Sequence, residues 1–200
     1  MSTLNREGLI WTIVAGIAAT ATLVYSLERP ERLSVVTVFQ LAETVVTVDA
    51  ALIAIFVNYA WRWPIFARWL VCVPALRKTW EGTVTPIHCD GISAAAEPIS
   101  AALEIRQTLF HVACIMRTQE TTSRSFAAAI FVDPESGERR LSYSYSADSN
   151  LRTREHNPRH DGTAVMTIGS GSSPTLQGSY WTDRLTRGEL EFHSHARPSG

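Results

Sequence analysis

Residues 176–192 read LQGSYWTDRLTRGELEF. Leu176, Gly178, Tyr180 and Thr182 share one face of an extended chain, and Gln177, Ser179 and Trp181 share the other. Past Asp183–Gly188 the alternation resumes, with Leu190 and Phe192 set against Glu189, Glu191 and His193. Two period-two runs flanking a short loop predict an antiparallel hairpin. Its loop holds Asp183, Arg184, Thr186 and Arg187, more polar chemistry than a tight turn requires. The hairpin is therefore expected to close a small β-barrel with a sensing role.

The same patterning extends outward from this hairpin. Trp80–Pro86, Ile99–Arg106, Leu109–Arg117, Ser125–Asp133, Arg139–Ala147, Gly162–Gly169 and Gly188–Arg197 all read as strands. Pro134-Glu135-Ser136-Gly137 and the run GSGSSP at 169–174 punctuate them. With Leu176–Thr182 they make about eight strands in about 120 residues, which fits a small antiparallel all-β barrel of up-and-down type, a sandwich being the alternative. The small side chains of Ala127, Ala128, Ala129 and Gly178 suit a tightly curved wall. Eight strands enclose just enough room for side chains or one small ligand.

The N-terminal third is different. Leu9–Leu27 carries no charge and is long enough to cross the hydrocarbon core. A signal peptide is the rival reading. The apolar run, however, exceeds the usual signal core, and a second apolar segment follows almost at once. That segment runs from Leu33 to Tyr59 with Glu43 and Asp49 inside it. Each acid at mid-membrane costs roughly 2.5–3.5 kcal/mol, whereas each Leu, Ile, Val or Phe returns roughly 0.3–0.6, so this helix alone is a marginal span. On a helical wheel Thr37, Gln40, Thr44, Thr47 and Asn58 form a polar stripe with Glu43 at its edge, and Asp49 lies nearly opposite.

Lipid cannot solvate these groups. Either the first helix covers them, or several copies of the chain meet through them, or the segment lies in the interface. The second option makes Gln40, Glu43, Thr44, Thr47 and Asp49 candidate oligomerisation residues. Arg6 lies before the first helix, Arg29 and Arg32 between the two, and Arg62, Arg68, Arg77 and Lys78 after the second. This asymmetry favours both chain ends, and the barrel, in the cytoplasm. Trp61, Trp63 and Trp69 resemble an interfacial belt. The expected organisation is a two-helix transmembrane hairpin at 1–61 (helices about 9–27 and 35–59), a basic and aromatic connector at 62–79, and the barrel at 80–200.

No catalytic constellation stands out, and neither an enzyme nor a cofactor is expected. Cys72, Cys89 and Cys114 have no paired spacing, which argues against a disulfide framework. Ser170 and Ser172 lack the order of a nucleophile elbow and read as a hairpin loop. His156 with His160, and His193 with His195, have spacings that a metal could use, but they read more simply as a loop pair and a solvated strand face. From Trp80 to Gly200, 11 arginines and no lysine against 14 acidic residues leave a charge of −3, unsuited to polymeric nucleic acid. A compact anion needs only two or three guanidiniums. Arg124, Arg152 and Arg184 are the candidates, with Tyr143, Tyr145, Tyr180 and Trp181 as stacking surfaces.

Read in order, the two helices, WEG, IRQTLF, TTSRS, LSYSY, HDGT and LQGSYWTDRLTRGEL resemble a family: the two-transmembrane β-strand-rich effectors of CBASS, the cyclic-oligonucleotide-based antiphage signalling system of bacteria. The most specific match is G-x-Y-x-T-x-R-x-x-x-G at Gly178, Tyr180, Thr182, Arg184 and Gly188, with His160 and Gly162 in support. The resemblance implies a cytoplasmic barrel on a multi-pass anchor in the bacterial inner membrane. It implies that the barrel binds a cyclic dinucleotide made by a phage-activated synthase, and that the chain then self-associates as a homo-oligomer, breaches the lipid bilayer and kills the infected cell. The two phosphates and two bases of such a ligand match the arginine and tyrosine chemistry read above, and the expected roles are phosphate binding for Arg184 and Arg124, stacking for Tyr180 and Tyr145, and polar reading for Thr182, Gln107 and His160. The competing class is a membrane-anchored lipocalin-like carrier, which predicts a wide apolar lumen.

Overall fold

The computed structural model describes residues 6–28, 34–66, 70–71, 73–87, 97–133, 135–150, 157–169 and 174–194. Arg29, Arg32, Arg68, Cys72, Cys89, Arg152, His156, Ser170, Ser172 and His195 lie outside them. The chain divides into two units, Met1–Val73 and Pro74–Gly200.

The first unit contains α1 (Arg6–Glu28) and α2 (Val35–Asn58). Both are long and apolar enough to cross a membrane. Ser34 caps α2 by accepting the Thr37 amide at 3.1 Å. Thr12, Thr22 and Ser26 turn their hydroxyls back onto carbonyls one turn earlier, which satisfies them without water. α2 presents Leu41, Val45 and Asp49 toward α1, where they are half-buried, and Thr20 donates to Asp49 Oδ1 at 2.9 Å. Gln40, Glu43, Thr47 and Asn58 lie on another face and are exposed, while Thr44 is half-buried. α1 thus covers Asp49 and leaves the Glu43 stripe open.

The second unit is a closed barrel of eight antiparallel strands in chain order, with the last pairing back to the first. They are β1 (Lys78–Ile87), β2 (Ile99–Gln107), β3 (Val112–Arg117), β4 (Thr121–Val132), β5 (Arg139–Ser149), β6 (His160–Ile168), β7 (Thr175–Thr182) and β8 (Arg187–Ser194). Strand identity follows the predicted alternation, and local hydrogen bonds move some ends. β3 starts at Val112 rather than Leu109 because the Thr108 amide donates to His111 O, closing a turn there. β4 starts at Thr121, where the Thr118 amide donates to Thr121 O at 2.9 Å.

Inward-facing Trp80, Leu103, Ile105, Leu141, Met166, Leu176 and Phe192 fill the barrel. The wide apolar lumen that a lipocalin-like carrier needs is therefore taken up by side chains. Cys114 and Tyr143 sit in the same core, and burial pushes the Cys114 thiol up to about 12. On the outer wall Glu104 accepts from Arg117 at 2.9 Å and Arg106 at 2.7 Å, and these bonds, Arg117's first, hold its carboxyl below the usual range.

One seam departs from regularity. β3 and β4 pair only through Ile115–Arg117 and Thr122–Arg124, whereas β4 pairs with β5 as far as Val132. A register shift between Ser125 and Ala127 marks a bulge at Phe126. The Cys114 amide there donates to the Ser125 hydroxyl at 2.9 Å.

A polar-rimmed cavity at one end of the barrel

Up-and-down connectivity sends alternate loops to opposite ends. The C-terminal ends of β1, β3, β5 and β7 and the N-terminal ends of β2, β4, β6 and β8 meet at the end opposite the start of β1. A cavity of about 840 Å³ opens there, within the roughly 300–1,000 Å³ range of small-ligand sites. Its apolar walls come from Val84, Ile99, Met116, Ala147 and the rings of Tyr145 and Tyr180. Thr118, Gln119 and Glu120 border it from the β3–β4 turn, Asn157 and His160 from the approach to β6, and Arg184, Thr186 and Arg187 from the β7–β8 loop.

The β7–β8 loop is braced on both sides. The Thr182 amide donates to Thr186 O at 3.0 Å, and the two threonine hydroxyls lie 2.6 Å apart. The Asp183 amide donates to Asp161 O at 3.0 Å, tying the loop to β6. Leu185 adopts a left-handed backbone with φ of 59°, a conformation that costs a non-glycine residue about 1–2 kcal/mol. This tight loop carries Arg184, whose Nη1 donates to Asn157 Oδ1 at 2.6 Å and stands 3.4 Å from both Pro158 O and His160 Nδ1.

Two glycines seat the aromatic rings. A Cβ at Gly162 would stand 2.6 Å from the Tyr145 hydroxyl, and one at Gly188 would stand 2.5 Å from Tyr180 Cε1. Burial raises the phenol of Tyr180, and burial, then Tyr180 and Asp183, raise that of Tyr145 well above its ordinary value. Both hydroxyls remain protonated donors at neutral pH. Ser123 adds a buried hydroxyl that lines the cavity and has no partner among the described residues. An unsatisfied buried group of this kind costs about 1–3 kcal/mol, which a bound ligand can relieve.

Of the residues singled out in the sequence, Tyr145, His160, Tyr180 and Arg184 meet at this cavity, and Thr182 lies buried beneath its rim, bonded to Thr186. Two expectations need correction. Gln107 ends β2 at the opposite end of the barrel, where it accepts the Leu76 amide at 2.7 Å and donates to Pro74 O at 3.0 Å. Arg124 points outward between Ile115 and Ser146, because its neighbour Ser123 takes the inward position. Tyr143 belongs to the core and Trp181 to the outer face. Sequence reasoning missed Ser123, Glu120, Asn157 and Arg187 as site residues. Arg187 was legible within the polar loop, and Ser123 within the alternation that continues from Ser125.

A packed eight-stranded barrel with an aromatic and guanidinium-rimmed cavity, following two helices of membrane-spanning length, defines a small-ligand receptor with a membrane-type anchor. Residues 71–194 match the family model described as Cap15, cyclic dinucleotide receptor domain, and the chain belongs to that family. CD-NTase-associated protein 15 of Staphylococcus schleiferi is 27% identical over 148 residues, covering 74% of this chain and 75% of that protein. The resemblance to CBASS effectors read from the sequence is borne out.

Proposed function

We propose that the cavity binds a cyclic dinucleotide and that occupancy drives the helices to assemble and breach the bacterial inner membrane. The observation that carries this reading is the convergence of Arg184 and Arg187 with the rings of Tyr145 and Tyr180 around one opening. A cyclic dinucleotide offers two phosphates and two bases. Two guanidiniums suit the phosphates, and stacking on an aromatic ring is worth roughly 1–3 kcal/mol per base. Arg184 takes a phosphate, and Arg187, on the outward face of β8 opposite Trp181, adds positive charge at the rim in the place first assigned to Arg124. Ser123, Thr186 and His160 read polar edges, and Thr182 braces the loop.

The anchor supports the second half. Asp49 is satisfied by Thr20 inside the hairpin, but Gln40, Glu43 and Thr47 face outward. Lipid disfavours that stripe, so copies of the chain gain by joining through it. Ligand that favours the assembled form shifts the population by its differential affinity. In this scheme the helices cross the membrane twice, both chain ends and the barrel are cytoplasmic, a cyclic-nucleotide synthase supplies the signal, and loss of membrane integrity kills the infected cell. The test is dye release from liposomes carrying the full chain, with cyclic dinucleotide added. Release that requires both ligand and Arg184 supports the scheme; ligand binding with intact liposomes overturns the membrane step.

A further inference from the structure

We propose that the free edge of β4, Ala127–Val132, is a pairing edge for the same edge of a second copy, joining two barrels through a continuous sheet. The proposal goes beyond ligand binding and rests on that reading only for the membrane tether that brings copies close. Its basis is the seam described above. The β3 ladder stops at Arg124, the bulge at Phe126 turns β4 aside, and from there to Val132 β4 pairs with β5 alone among the described residues. A β-strand with one unpaired side presents a row of backbone donors and acceptors that favours addition of another strand.

Natural edges are usually blunted by charge or proline. Phe126–Val132 reads FAAAIFV and has neither. Its outward side chains are apolar and open: Phe126 is 68% exposed and Phe131 59% exposed, with Ala127 and Ala129 exposed between them. Antiparallel self-pairing about Ala129 fits this pattern. It sets Ala129 opposite Ala129 of the second copy and each Phe131 opposite Ala127, large against small on the same face. No like charges meet along the paired stretch. On the outer face of the next strand Ser142 and Ser144 lie beside Ala129 and Ala127, and Arg140 beside Phe131 is ion-paired to Glu138 at 2.6 Å. A two-fold axis closes this contact after two copies, leaving the Glu43 stripe to build larger assemblies.

The test uses the full chain in liposomes, with Cys72→Ser and Cys89→Ser, and with Cys114 retained because burial keeps its thiol protonated. Directly opposed residues in an antiparallel pair have Cα atoms about 4.5–5.5 Å apart, within disulfide reach. Ala129→Cys is therefore expected to give an oxidative cross-linked dimer, with or without cyclic dinucleotide. Ser142→Cys, one strand inward, is expected not to, and adding Ala127→Lys to Ala129→Cys is expected to remove the dimer. Absence of the Ala129→Cys dimer under both conditions, or equal cross-linking by Ser142→Cys, overturns the proposal. Ligand binding measured on the same liposomes reports separately on the cavity.

Discussion

Arg184 Nη1 lies 2.6 Å from Asn157 Oδ1, so the arginine of the β7–β8 loop is held across the cavity rim against the segment that enters β6. The guanidinium is positioned before any ligand arrives, which reduces the ordering cost of binding.

Removing that group should affect binding far more than folding. Arg184→Ala is expected to weaken cyclic dinucleotide binding by about 10–100-fold, the loss of a hydrogen bond to a charged group, and to change stability by no more than about 0.5 kcal/mol, as for an exposed substitution. Arg184→Lys should recover only part of the affinity, because an ammonium cannot reproduce the planar fork. Calorimetric titration and thermal melting of the same preparations check both.

The glycines under the rings should couple stability to affinity. Gly162→Ala forces its methyl onto the Tyr145 hydroxyl, and Gly188→Ala forces its methyl onto Tyr180 and Thr85 O. Overpacking of this kind costs about 1–3 kcal/mol, so both variants should melt earlier and bind ligand less well. Gly178→Ala meets the Val165 carbonyl on the opposite strand instead. It should lower the melting temperature without a specific loss of affinity in the fraction that remains folded.

Alkaline pH should unfold the barrel through its core. The Cys114 thiol is pushed up to about 12 in the folded protein, against about 8.5 in an unfolded chain. The folded state therefore holds its proton more tightly, and the contribution is fully present below about pH 8.5 and lost as pH rises toward about 12. Tyr143, Tyr145 and Tyr180, all raised chiefly by burial, add losses of the same sign above about pH 10. Melting temperature should fall progressively from about pH 8.5. Cys114→Ala should start from a lower value and show a shallower decline below about pH 10, before the tyrosines titrate.

The two membrane acids should behave differently. Thr20→Val removes the Asp49 partner and should loosen the hairpin by about 0.6 kcal/mol, the usual worth of an interhelical hydrogen bond in a bilayer. Glu43→Leu removes the uncovered acid, should abolish ligand-dependent toxicity and should leave ligand affinity unchanged. Asp49→Leu should spare ligand affinity too, and its effect on toxicity should follow that of Thr20→Val. Growth of cells expressing each variant with a cyclic dinucleotide source distinguishes them.

Fold and site were not equally legible. All eight strands showed in the sequence because one face of each is buried, so alternation survives even in SYSYS and LQGSYWT. The helix pair showed because lipid permits long uncharged runs. A strand starting at Ser125 says nothing of the parity of the residues just before it, and β4 starts at Thr121, which sets Ser123 inward and Arg124 outward. Gln107 was misplaced because its position at the end of β2 carries it to the loops opposite the cavity, a consequence of topology rather than composition. Nothing local to FAAAIFV reveals that its neighbour peels away, since ladder length depends on a strand ten residues upstream.

Titration of the full chain in lipid nanodiscs with cyclic di-GMP, cyclic di-AMP and the mixed guanine–adenine dinucleotide tests the central claim most directly. At least one should bind with one molecule per barrel, and Arg184→Ala and Tyr180→Ala should each weaken that binding by about 10-fold or more. Binding that is unchanged in both variants, or no binding of any of the three by the unsubstituted protein, contradicts the assignment of the cavity.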